Sequence, residues 1–169
     1  MKINLSKANP SLVSIFENPN QIITIDANIL IPPDRSRYSK NRFDFPLFKK
    51  VWIEPIFITF PKIAIHEAVY DELIGVEVRE YIEKLGQEIP PRIIIHLDSS
   101  LTDIEGFLRD SIETKIYPYT NYDPQIDNKD DRGEVKSLSY IAVKGLLILQ
   151  LMIIMHCNLS RRQKNGLQD

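Results

Sequence analysis

Five acidic side chains stand where chemistry could use them: Asp26, Glu67, Glu72, Asp131 and Glu134. Asp26 closes the apolar, β-branched run Ile22-Ile23-Thr24-Ile25, which reads as a buried strand presenting a carboxylate at its C-terminal end. In open parallel sheets the ligand crevice lies just beyond those ends, so the position suits a reactive acid. Glu67 and Glu72 belong to Glu67-Ala68-Val69-Tyr70-Asp71-Glu72-Leu73, where Ala68, Val69, Glu72 and Leu73 recur at helical spacing. Asp131 and Glu134 open another helical stretch three residues apart, which puts them on one face. Acids that converge without Lys or Arg partners repel one another, and raised pKa values or bound divalent cations relieve the repulsion. Hard oxygen ligands favour Mg2+ or Mn2+ over zinc. Two such ions held close together generate a hydroxide nucleophile and stabilise the leaving oxygen of a phosphodiester. A plainer reading competes: Asp26 ends a strand, Asp131 caps a helix with Glu134 as its capping-box partner, and Glu72 is solvated.

Those acids need elements to hold them. A short leading helix is expected over residues 9–16, and strand one over 21–26, with Asn28 capping the helix that follows. Pro32-Pro33 breaks the chain. The segment from Asp34 to Lys50 then interleaves Arg35, Arg37, Lys40, Arg42, Lys49 and Lys50 with Tyr38, Phe43, Phe45 and Phe48. Cations among aromatics suit a single-stranded nucleic acid, since phosphates meet the charges while bases stack on the rings. Equally, this could be a solvated loop whose rings pack on the core. Trp52, amid Phe48, Val51 and Ile53, reads as core.

A short second strand falls within residues 56–65, and the Glu67 helix is expected to end on Gly75. A charged helix from Val76 to Gly86 is followed by Pro90-Pro91 and a strand over Arg92–Leu97. Ser99 is the expected cap of a helix with an inward stripe of Leu101, Ile104, Phe107, Leu108, Ile112 and Ile116 and acids outside. A polar loop over 117–128 leads to the Asp131 helix, which runs to about Lys144, stops at Gly145 and yields to a last strand over 146–149. Strands separated by helices predict an α/β fold with a mainly parallel sheet and helices on both faces.

Composition narrows the rest. The chain of 169 residues, 43% hydrophobic and 26% charged, has the make-up of one soluble domain. A formal charge of −2 gives no global attraction to nucleic acid, so such binding would need a local patch. The lone Cys157 and the polar N-terminus predict a cytoplasmic protein without disulfides or a secretory signal. The apolar run from Gly145 to Met155 is too short to span a bilayer, so no membrane is expected as a partner. His66, His96 and His156 lack zinc-ligand spacing with the single Cys, and no P-loop, dinucleotide fingerprint or nucleophile elbow occurs.

Ile-Asp-Ala-Asn-Ile-Leu at 25–30, Glu-Ala-Val-Tyr-Asp-Glu-Leu at 67–73 and Asp-Arg-Gly-Glu-Val-Lys-Ser-Leu at 131–138 together resemble the three successive acidic motifs of PIN-domain ribonucleases, in family order. The resemblance covers about residues 21–150. It implies a three-layer α/β/α sandwich and Mg2+- or Mn2+-dependent cleavage of single-stranded RNA. Asp26 would be the first metal ligand with Asn28 its polar neighbour, Glu72 the second acid, and Glu134 the third with Asp131 as helper or substitute. Glu67 stands where the family usually has a small polar residue, which makes it the weaker candidate. A toxin with an antitoxin partner, a stand-alone RNA-processing enzyme and a homodimer are all compatible with that family. A non-catalytic PIN-like module, binding RNA or protein without cleaving, is the alternative.

The sequence departs from the family at its end. A Ser/Thr-x-Asp motif normally follows the last strand and supplies a fourth acid, but here no acid occurs between Glu134 and Asp169. The genetic code suggests why. Met152-Ile153, read in the frame set by the G of ATG, forces GAT, an Asp codon, and Met155-His156 in that frame forces GCA, an Ala codon. The shifted frame thus encodes Asp-x-x-Ala directly after the last strand. The expected division is therefore a PIN-like domain over 1–150 and an aberrant, frameshifted tail over 151–169.

Overall fold

A computed structural model describes residues 13–14, 17–18, 20–30, 44–73 and 75–149, the last three of these as backbone. Arg35, Arg37, Lys40 and Arg42, most of the expected leading helix and the whole tail 151–169 lie outside the described residues.

The protein is α/β. Four parallel strands, β1 (Ile23–Ile25), β2 (Ile63–His66), β3 (Ile93–His96) and β4 (Leu147–Leu149), form one sheet in the order β3-β2-β1-β4. Register pairs Ile23 with Ile63 and with Leu147, and His66 with His96. β1 and β2 are buried at every position, which explains their unbroken apolar runs: central parallel strands are covered on both faces and need no alternation. β3, at the edge, exposes Ile95. The chain steps from β1 to β2 to β3 on one side and then returns to place β4 on the other side of β1. The C-terminal end of β1 is therefore a topological switch point, where open α/β sheets form their crevice.

Seven α-helices connect the strands among the described residues: α1 (Ala27–Leu30), α2 (Phe45–Phe48), α3 (Glu54–Thr59), α4 (Glu67–Glu72), α5 (Val76–Gln87), α6 (Asp103–Ile116) and α7 (Arg132–Lys144). A single π-helical stretch, Lys49–Ile53, joins α2 to α3. Ile23, Ile25, Ile29, Leu30, Ile63 and Ile65 anchor a core on which Ile53, Phe57, Ile82 and Leu85 pack. Each such side chain contributes about 1.5–3 kcal/mol by leaving water. Trp52 is partly buried against this core, as expected, and its indole N–H donates to the Ile29 carbonyl at 2.9 Å.

Several boundaries differ from expectation, each for a local reason. The second strand occupies only the end of its predicted window, because Pro55 starts the helix α3 and residues 54–59 are helical. Residues 45–50 are helical rather than loop, with Phe45 buried and Phe48 packed on the core, while Lys49 lies over the Tyr81 ring. Gly75 is the N-cap of α5 with φ −75°, so it uses no left-handed conformation, and α4 ends at Leu73 instead. Thr102, not Ser99, caps α6: its hydroxyl accepts the Glu105 amide and Glu105 returns a bond to the Thr102 amide.

α6 also departs from its expected facing. Ile104 and Phe107 are 76% and 73% exposed and Leu108 is exposed too, whereas Glu113 is buried. The polar side of the helix has fixed partners on other elements: Arg109 meets Asp98 at 3.6 Å, and Lys144 on α7 reaches Glu105 at 2.7 Å. Gly145 behaves as expected, adopting φ 61° just past the end of α7.

Candidate active site

Asp26 follows β1 at the switch point and is 6% exposed. It sits one residue before α1, so Asp26 itself holds the capping position expected of Asn28, and the Ile29 amide closes the turn onto the Asp26 carbonyl at 3.1 Å. Asn28 instead lies inside α1 and donates its side-chain Nδ2–H to Asp26 Oδ2 at 2.8 Å. The carboxylate is thereby fixed in orientation. Burial, the largest influence, raises the Asp26 pKa; the Ala27 and Asn28 amides and the Asn28 side chain oppose it, and the charge of Asp131 adds to the rise.

Glu72 closes α4, whose N-terminus is capped by the His66 ring accepting the Ala68 amide. Its Oε1 accepts the backbone amide of Gly133, from the first turn of α7, at 2.6 Å. The Glu72 pKa is also raised, by burial first, with the Gly133 bond and Arg132 opposing and the charges of Asp26 and Asp131 pushing upward. Asp26, Glu72 and Asp131 thus share one electrostatic neighbourhood, assembled from β1, α4 and the start of α7.

Asp131 stands outside α7, in the left-handed region at φ 56°. The helix opens at Arg132, so Asp131 and Glu134 do not share a helical face as expected. Nor do they form a capping box: Asp131 makes no side-chain cap, and its Oδ2 accepts the amide and side-chain N–H of Asn121 at 2.9 and 2.8 Å. Glu134 lies half-buried in the first turn of α7, one residue beyond the amide that holds Glu72. The acids also have a basic neighbour that the spacing did not reveal. Arg132 acts on Glu72 and pairs with Asp127 at 3.1 Å and Asp71 at 3.7 Å.

A second polar group occupies the same rim beside β2 and β3. Glu67, the weaker candidate, accepts the Asp98 amide at 2.8 Å, and His66 Nε2 meets Asp98 Oδ1 at 3.2 Å. Among the described residues, the trio with ligand atoms within 4.8 Å of one another is His66, Glu67 and Asp98, not the predicted acids. Its chemistry fits a structural lock better than a metal site. His66 Nδ1 accepts the Ala68 amide, which leaves Nε2 as the protonated donor to Asp98. Asp98 in turn faces Arg109 at 3.6 Å. Burial opposes ionisation of Asp98, but the His66 bond and the charges of Arg109 and Lys136 outweigh it and hold the pKa below its ordinary value.

Tyr140 from α7 stacks on His96 with centroids 4.8 Å apart and tilts against His66. Thr24 on β1 bonds His96 at 3.2 Å. Burial, then the proximity of His66 and Lys144, lowers the His96 pKa to about 4, so the ring is neutral at pH 7. Sequence reading passed over Gly133, Arg132 and Asp98. Only Gly133 carried any signal, as a helix-weakening residue inside the acidic motif at 131–138. No helix among the described residues is long and apolar enough to cross a membrane. No family model, curated protein or solved structure matches the chain.

Proposed function

We propose that this protein is a metal-dependent endoribonuclease of PIN-like, three-layer architecture that cleaves single-stranded RNA at the Asp26 crevice. One observation carries the reading: buried Asp26 and partly buried Glu72, from separate elements, have pKa values raised by burial first, with the charge of Asp131 adding to both and that of Asp26 to Glu72, beside the sheet's switch point. Perturbed acids gathered in such a crevice mark functional sites more often than structural ones. The strand order and the run of acidic motifs support the PIN-like reading.

The donor set is hard oxygen throughout, which fits Mg2+ or Mn2+. Asp26 and Glu72 would hold the ion, with Asp131 and Glu134 beside them. Each carboxylate keeps acceptor capacity beyond its present hydrogen bond, since each oxygen offers two lone pairs. When bound, the ion supplies Lewis acidity at the scissile phosphate and lowers the pKa of water. The chain's own contribution is orientation: Asn28 fixes Asp26, the Gly133 amide fixes Glu72, and Arg132 offsets part of the local negative charge.

A non-catalytic role is the second reading, favoured by the lack of any acid between Glu134 and Asp169. Incubating single-stranded RNA with the protein and Mn2+ separates the two. Cleavage that Asp26→Asn abolishes supports the nuclease; binding without cleavage in both proteins supports the module.

A further inference from the structure

Gly133 is the second residue of α7, and among the described glycines only Gly145 has a positive φ. Its backbone therefore does not require glycine. A glycine inside a helix costs about 1 kcal/mol relative to alanine, so another reason must keep it there. Space supplies that reason. A β-carbon at this position would lie 2.6 Å from Glu72 Oε1 and 2.8 Å from its Cδ and Oε2, far inside van der Waals contact. The colliding atoms are the carboxylate itself, already bonded to the Gly133 amide at 2.6 Å.

The first amides of a helix have no partner within it and sit at its positive end. Asp131, at the N-cap, turns its carboxylate to Asn121 and leaves the Gly133 amide without a cap from its own helix. Glu72, arriving from α4, takes that amide. We infer that Gly133 is a positioning residue: by lacking a side chain and offering its amide, it seats Glu72 at the acidic crevice and thereby sets metal affinity. The metal half of this inference rests on the proposed nuclease reading; the seat itself does not.

A thermal-unfolding cycle tests the seat. The β-carbon meets the far end of a side chain that can swing away, so the expected cost is that of losing the Glu72–Gly133 bond, and Gly133→Ala should lower Tm by roughly 2–4 °C in the otherwise native chain. The loss should vanish or reverse in Glu72→Ala, where no carboxylate occupies the space. If Gly133→Ala alone fails to fold, Glu72→Asp, one methylene shorter, should rescue it. Equal losses in both backgrounds, no loss at all, or failure of both rescues would overturn the seat. Gly106→Ala on α6 is the control, since a β-carbon there meets nothing within 4 Å and should leave Tm unchanged or raised.

Mn2+ titration then reads the consequence. Gly133→Ala should weaken Mn2+ binding roughly 10- to 100-fold, as loss of an outer-shell support does. It should add nothing further to Glu72→Ala, where no side chain is left to seat. Unchanged Mn2+ affinity in folded Gly133→Ala would overturn the positioning role. Absence of Mn2+ binding by the native chain would instead overturn the nuclease reading, while the thermal cycle still decides the seat.

Discussion

Two carboxylate groups share the C-terminal rim of the sheet and differ in how their charge is balanced. Beside β2 and β3, Asp98 meets His66, Arg109 and Lys136, and its pKa is held below the ordinary value. At the end of β1, burial raises the pKa values of Asp26 and Glu72, the charge of Asp131 adds to both, and Arg132, acting on Glu72, is the one opposing charge among their causes. The first group is a settled lock that ties the β3–α6 connection to the sheet. The second keeps its acids buried at the switch point with their pKa values raised, burial being the largest cause. The geometric trio His66, Glu67 and Asp98 is tighter, yet His66 Nε2 is taken by Asp98 Oδ1 and the Asp98 charge is matched by Arg109. Proximity of ligand atoms and charge balance therefore single out different groups on the same rim.

The contrast predicts opposite signs. Asp98→Ala should show the largest effect, a loss of about 2 kcal/mol, because it leaves the buried His66 N–H without its acceptor and removes one of the three carboxylates around Arg109; urea denaturation at pH 7 measures it. The Asp98 contribution is present above the ordinary carboxylate pKa and is lost as pH falls below it, since the depressed group resists protonation in the folded state. A second loss comes from His96 on acidification. Its folded pKa near 4 lies below the ordinary 6.5, so stability is full above pH 6.5 and declines toward pH 4, by about 2 kcal/mol after allowing for partial solvation. His96→Phe should flatten that window in a pH series of melting curves.

Glu72→Gln should do the reverse of Asp98→Ala and raise stability slightly at pH 7 without metal, because burial disfavours the charged form it removes. The amide oxygen of glutamine can still accept the Gly133 amide, so only the charge is lost. The Asp26 and Glu72 contributions run against those of Asp98 and His96, falling as pH climbs through and above the ordinary carboxylate range, so Glu72→Gln should gain on the native chain as pH rises. A destabilised Glu72→Gln at pH 7 would break the contrast between the two groups.

The sheet was legible because its strands are runs of isoleucine between helix and turn signals, a pattern that central parallel strands impose. Asp26 was legible for the same reason, as the carboxylate that interrupts such a run. The facing of α6 differs from expectation because amphipathic spacing assumes that apolar residues find the core, whereas Arg109 and Glu105 have partners on other elements, Asp98 and Lys144, and Ile104 and Phe107 stay outside. The left-handed Asp131 and the Gly133 seat could not be read at all. Both depend on residues far along the chain, Asn121 for one and Glu72 for the other, and no local pattern encodes such contacts.

Cleavage of single-stranded RNA in the presence of Mn2+, native protein against Asp26→Asn, tests the central claim most directly. Asp26→Asn keeps the shape of the buried carboxylate and removes its charge. The nuclease reading predicts Mn2+-dependent cleavage by the native chain that falls at least about a hundredfold in the variant. Cleavage that persists in Asp26→Asn, or a native chain that leaves RNA intact, would contradict it.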